Sequence, residues 1–403
     1  MPRSERRGAL HLVAANRPFR LLWTARTVSF LGDSLGLVVL MLYVADTTGH
    51  ALAVALLLLV GDFAPALLGP LTGTVSDRFE RKRVMIGCEV AQGGLVAVIA
   101  LWLPALPLLL VLVALRAIAG QVFQPAARAT VPALVRDRDL DSANAAVGIG
   151  TNGGEALGPL LAVVLLPILD VRGALLVDAA TFLGSAVLLA LLPRPARPGP
   201  AGAEPSSFWA DTLAGLRYIS TTPLLRAIGL GFFAIVAFNG IDDVALVFLA
   251  TDTLGGGERA AAALLAAVGI GLFAGYALLA RPHRIGMVAL LLAGFAVSSA
   301  GNLLTGLAWA VAAAFVLQTV RGLGIAAMDI AVHTLLQRHV PSEFLGRVFG
   351  SLYGAIGVAA ALSYLLGGLL IDITNPRVAF LVAGGGGLLI TLAVAHRLVP
   401  GDP

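Results

Sequence analysis

Five ionisable side chains, Arg26, Asp33, Asp62, Arg116 and Glu155, stand inside long apolar runs. Each costs about 2–4 kcal/mol at the centre of a bilayer unless it is paired or faces water, so each calls for a use. Asp33 follows Arg26 by seven residues, with Ser29 and Phe30 between them at helical spacing, which puts acid and base on one stripe. A carboxylate placed there can take up and release a proton, or can serve as half of a fixed ion pair. Asp62 lies about 16 Å from the start of its run at a rise of 1.5 Å per residue. Gly61 and Pro65 beside it allow a bend that would open it to water. Glu155 shares one helical face with Asn144, Gly148, Thr151 or Asn152, and Pro159, a polar stripe of the kind that lines a cavity. Arg116 keeps its charge in any surroundings and needs an acid partner, for which Asp33, Asp62 and Glu155 all qualify. Arg321 with Asp329, and Asn239 with Asp242 and Asp243, form a second set. Asp242, Asp243 and Asp178 read as solvated at span ends.

The elements that must hold these groups are membrane helices. With 58% hydrophobic and 12% charged residues in 403, the chain is excluded from the soluble globular class, where charged residues make up about 25%. A spanning helix takes about 20 mainly apolar residues. Twelve such runs follow one another, at 21–44, 52–75, 84–103, 107–127, 143–167, 173–192, 224–250, 260–280, 285–306, 309–333, 345–371 and 378–396. The fold expected is all-α and integral to the membrane. With the N-terminus in the cytoplasm, 21 of the 27 lysines and arginines fall on the cytoplasmic side, 3 outside (Arg172, Arg259, Arg377) and 3 within spans (Arg26, Arg116, Arg321). Lys and Arg accumulate on that side, so both termini are expected there. Arginine-rich usage with a single lysine, Lys82, points to a bacterial source and hence a bacterial cytoplasmic membrane.

The chain also repeats itself. Arg116 and Arg321 stand 205 residues apart, each followed by glycine within four residues, and the same offset takes Val135 to Val340 and Leu140 to Leu345. The Pro-, Gly- and Ala-rich run after Arg194 reads as a linker. The expected organisation is two six-helix halves, 1–192 and 223–403, joined by a cytoplasmic linker at 193–222.

Other chemistries are excluded by pattern. No G-x-x-x-x-G-K-S/T cradle for phosphate is present, and the six histidines show no metal spacing. Aromatic residues, at 6%, are too few to stack nucleic-acid bases, and the single cysteine, Cys88, forms no disulfide. No enzyme activity, cofactor or metal is expected.

Between the second and third runs lies a knot of charge, G-T-V-S-D-R-F-E-R-K-R from Gly73 to Arg83. Gly73, Asp77, Arg78, Arg81 and Lys82 resemble the G-x-x-x-D-R-x-G-R-R/K loop of the major facilitator superfamily, with Glu80 where that pattern has Gly. The resemblance extends to R-T-V-S-F-L-G-D-S-L in the first run, F-Q-P-A-A-R-A-T-V-P-A-L-V, L-D-S-A-N-A, L-V-D-A-A-T-F-L and V-P-S-E-F-L-G-R-V-F-G. These pieces look like the macrolide-efflux and siderophore-exporter branch of drug:proton antiporters. Gly154, Gly158 and Pro159 resemble part of that group's fifth-helix motif, with Ala162 where a further glycine is expected. Arg116 with Gly120 resembles the superfamily's fourth-helix R-x-x-x-G, in which the guanidinium lies near the proton site. The resemblance implies a monomeric transporter that exports an amphipathic small molecule in exchange for protons, with Gly73, Asp77, Arg78, Arg81 and Lys82 acting in gating. An importer or facilitator of the same fold is the alternative, and a non-transporting membrane sensor a more distant one.

Overall fold

A computed structural model describes residues 9–63, 80–136, 139–193, 216–279, 285–340 and 342–398. Gly73, Asp77 and Arg78 lie outside the described residues, and so do the side chains of Asp62 and Glu155. Among the described residues the secondary structure is helical throughout. The helices are α1 (Ala9–Ala15), α2 (Arg17–Thr48), α3 (Ala51–Leu58), α4 (Arg81–Trp102), α5 (Leu106–Leu134), α6 (Leu140–Ala190), α7 (Pro223–Asn239), α8 (Asp242–Phe248), α9 (Gly257–Leu279), α10 (Met287–Gly306), α11 (Val311–His339), α12 (Ser342–Ile373) and α13 (Pro376–Leu398). π-helical turns follow α3 at Leu59–Phe63 and α8 at Leu249–Thr253.

Ten described helices are long and apolar enough to cross a membrane, and the shorter apolar helix Ala51–Gly61 stands where the second span is expected. The fifth and sixth expected spans form one element, α6, broken at Asp170 by φ 57° and ψ −175°. That left-handed φ is costly for a residue with a side chain, and it breaks the helix between the two expected spans. The Asp170 carboxylate accepts from the Gly173 N–H at 3.0 Å, which holds the turn.

The chain divides into two compact units, Met1–Leu40 with Val60–Ala203, and Met41–Leu59 with Glu204–Pro403. In the first unit Phe19, Leu22, Met85, Phe123, Ala126 and Leu189 pack into one apolar core drawn from α2, α4, α5 and α6. α6 meets α2 through glycines at every fourth position. A Cβ on Gly154 would lie 3.2 Å from the Leu31 nitrogen, and one on Gly158 only 2.8 Å from the Ser34 carbonyl carbon. Trp23 Nε1 donates to the Ala146 carbonyl at 2.7 Å along the same seam. Gly154 and Gly158 therefore serve close helix packing. Gly158→Leu is expected to destabilise the protein by about 3 kcal/mol, since backbone would have to move to admit the side chain. A thermal unfolding scan in detergent showing an unchanged Tm would contradict that packing.

In the second unit α7, α10, α11, α12 and α13 share a core around Phe232, Phe295 and Leu335, and Phe232 stacks on Phe295 at 6.2 Å. α11 crosses α9 with backbone nearly in contact, because a Cβ on Gly322 would lie 2.6 Å from the Leu272 nitrogen. That close crossing fixes the height of Arg321 next to Gly322.

Candidate functional site

The first unit contains a cavity of about 330 Å³ whose wall carries four charged side chains, Arg26, Asp33, Glu89 and Arg116. Gln92, Gln121 and Gln124 add amides to the same wall. α2 supplies Arg26 and Asp33, α4 supplies Glu89 and Gln92, and α5 supplies Arg116, so three helices converge on one polar volume within an apolar unit.

Of the three acids that qualified as partner for Arg116, the structure places Asp33 against it as an ion pair, with Asp33 Oδ1 facing Nη1. Arg116 is buried, while 36% of the Asp33 side-chain surface remains open. Arg26 does not pair with Asp33. It is buried and its Nη2 donates to Gln124 Oε1 at 3.0 Å. Asp33 therefore has a fixed cation on one side and the open cavity on the other.

Two further acids are buried in the same unit, one of them, Glu89, on the cavity wall. Glu89 is 1% exposed and accepts from the Ser29 hydroxyl at 3.3 Å through Oε1, while its Oε2 is buried without a hydrogen-bond partner. Asp178, expected to be solvated at a span end, is also 1% exposed. It lies against α2 where Gly32 and Gly36 make room, with a Cβ on Gly32 reaching Asp178 Oδ1 at 2.9 Å and one on Gly36 reaching its Cγ at 2.9 Å. Asp178 Oδ1 likewise has no partner. A charge buried without compensation is costly, and the charges that face these acids are Arg26 for Glu89 and Arg116 for Asp178.

In the second unit Asp242, also expected to be solvated, is 6% exposed and forms an ion pair with Arg321. Each arginine of the 205-residue pair thus meets an aspartate of its own compact unit. Here, however, a run of buried side-chain hydrogen bonds adjoins the pair. Arg321 donates to Gln318 at 3.2 Å, Gln318 to Thr305 at 3.0 Å, Asn302 to Asn239 at 2.8 Å and Asn239 to Ser299 at 3.3 Å, all buried. Asp329, one helical turn before His333, accepts from the Tyr276 hydroxyl at 2.8 Å. The first unit offers an open charged pocket, and the second a closed polar network.

Of the expected gating residues within the description, Lys82 donates to the carbonyls of Ala190 and Leu192 at 2.7 and 2.6 Å, capping the end of α6 inside its own unit. Arg81 is the first residue of α4.

A charged pocket inside one of two helical membrane units is the arrangement of a membrane transporter. The sequence pattern of the Major Facilitator Superfamily matches residues 22–317 and 283–403, and the chain belongs to that family. It is 29% identical over 378 residues to an uncharacterized MFS-type transporter, YfiS, of Bacillus subtilis, covering 90% of this chain and 89% of the relative. It is 30% identical to macrolide efflux protein A of Streptococcus pyogenes over 126 residues, 30% of this chain and 31% of that protein. The crystal structure of the nucleoside transporter NupG superposes with a TM-score of 0.78 at 13% identity, covering 95% of this chain and 99% of that one. At that identity the likeness is one of fold. The protein is a multi-pass membrane transporter of the major facilitator fold.

Proposed function

We propose that this chain is a proton-coupled secondary transporter of a bacterial cytoplasmic membrane, exporting an amphipathic small molecule by alternating access of two six-helix halves, 1–192 and 223–403. The observation that carries this reading is the pocket of the first unit, where Asp33 is paired with Arg116 yet still open to the cavity and Glu89 is buried beside Ser29. Protonation of Asp33 removes its hold on Arg116, and arrival of substrate at the same wall favours loss of the proton. One site then serves both cargoes in turn. Arg26, Asp62 and Glu155 belong to the same proposed proton path, and Gly73, Asp77, Arg78, Arg81 and Lys82 to a gate at the cytoplasmic end. Both termini are cytoplasmic and the working unit is the monomer. Macrolide efflux protein A, though matched over only part of the chain, supports a bulky amphipathic cargo.

The test is transport in vesicles of purified protein with an imposed pH gradient, using erythromycin, a siderophore and a nucleoside as probes. The export reading predicts uptake against concentration only when the vesicle interior is the more acidic, so that protons leave as substrate enters. Movement down its own concentration gradient, indifferent to pH, would replace it with a facilitator. That second reading is favoured by one observation, the use of Gly154 and Gly158 for packing on α2 with Ala162 in place of the further glycine.

A further inference from the structure

The start of α3 is held by a residue 321 positions away. The Ala51 N–H donates to Asp372 Oδ1 at 2.7 Å and the Leu52 N–H to Oδ2 at 3.2 Å. The first N–H groups of a helix have no partner within it and usually draw one from the residue just before. That residue, His50, makes no side-chain cap bond. The carboxylate at the end of α12 takes its place, where its charge also faces the positive end of the helix dipole. α12 comes this near because of Gly368, where a Cβ would lie 2.8 Å from Ala55 Cβ and 3.1 Å from Leu52 Cα.

The position of this contact along the chain gives it a consequence. Met41–Leu59 belongs to the second compact unit, although the rest of the first two spans belongs to the first. The chain leaves the second unit again between Leu59 and Val60, inside the π-helical turn Leu59–Phe63. At such a turn the regular helical bonding is already interrupted, so bending there disturbs less than in a regular helix. Asp372 is exposed, so on release both the carboxylate and the two N–H groups pass to water.

We propose that Asp372 is a positioning residue of the transport cycle, a releasable latch that holds the start of the second span to the second unit, with Leu59–Phe63 as the joint about which the remainder turns. This rests on the alternating-access reading above. It assigns the latch to the end of the second span at which α3 begins.

The test uses full-length protein with Cys88→Ala and spin labels on cysteines at Ala105 and Trp309, exposed positions just before α5 and α11. Asp372→Ala is expected to shift the population toward the longer-distance state by about tenfold, the size expected from loss of a helix cap. Asp372→Asn keeps one carbonyl acceptor and should fall between Asp372→Ala and the original protein. Distance distributions identical in all three would overturn the latch, even if the protein transports normally. A shift in Asp372→Ala with no transport by the unmodified protein would uphold the latch and overturn the transport reading instead.

Discussion

Arg116→Ala is expected to abolish transport and to lower stability by about 3 kcal/mol, because it leaves the carboxylate of Asp33 without its cation. The figure is set at the low end for a broken buried pair, since 36% of the Asp33 side chain is open. Two measurements check it: the unfolding midpoint in detergent, and gradient-driven uptake in vesicles. The double variant Asp33→Asn with Arg116→Ala should recover much of the stability, because the stranded charge is gone, but none of the transport. Full recovery of both would reduce the pair to a packing feature. Equal destabilisation in the single and double variants would show that Arg116 acts on stability through a partner other than Asp33.

The second large effect is expected from Asp33→Asn alone. The amide keeps the shape of the side chain and loses the group that titrates. Gradient-driven transport should fall to background while binding of the same substrate, measured without a gradient, is retained. No titrating carboxyl group then faces Arg116 from α2, so transport should not return at any pH. If Asp33→Asn vesicles still concentrate substrate at the original rate, the coupling acid is another member of the pocket, and Glu89 is the first to examine.

Why the pocket was only half legible in the sequence follows from particular residues. Arg26, Asp33 and Arg116 stand alone in apolar runs, and charge in oil is conspicuous by composition. Glu89 is six residues from Arg83, where an acid near a membrane surface is ordinary. Only the helix α4, beginning at Arg81 and turning Glu89 and Gln92 to the same wall, takes it into the pocket. Asp178 lies near a span end, and position along the chain suggested water. The signal that places it inside is on another helix, where Gly32 and Gly36, four residues apart, leave a groove on α2 that its carboxyl group fills. Asp242 was misjudged for the same reason, since pairing with Arg321 across helices is not written in local spacing.

The helices themselves were more legible, because span length is set by the bilayer and shows in hydropathy alone. The break at Asp170 falls between the runs 143–167 and 173–192 as expected, but its left-handed φ was not legible, since neither Gly nor Pro marks that position. Nor did periodicity reveal that the second span is interrupted by a π-helical turn, or that the ends of the first two spans join the second unit.

The central claim is that protons bound in this pocket set which conformation the transporter adopts. It is tested without knowing the substrate by placing spin labels on cysteines at Arg128 and Arg338, exposed ends of α5 and α11, in a Cys88→Ala background. Distance distributions are then recorded across a pH series for the otherwise unmodified protein and for Asp33→Asn with Glu89→Gln. The account predicts that the two distance populations exchange as pH falls in the first and stay fixed in the second. The same pH-dependent exchange in both proteins would contradict it.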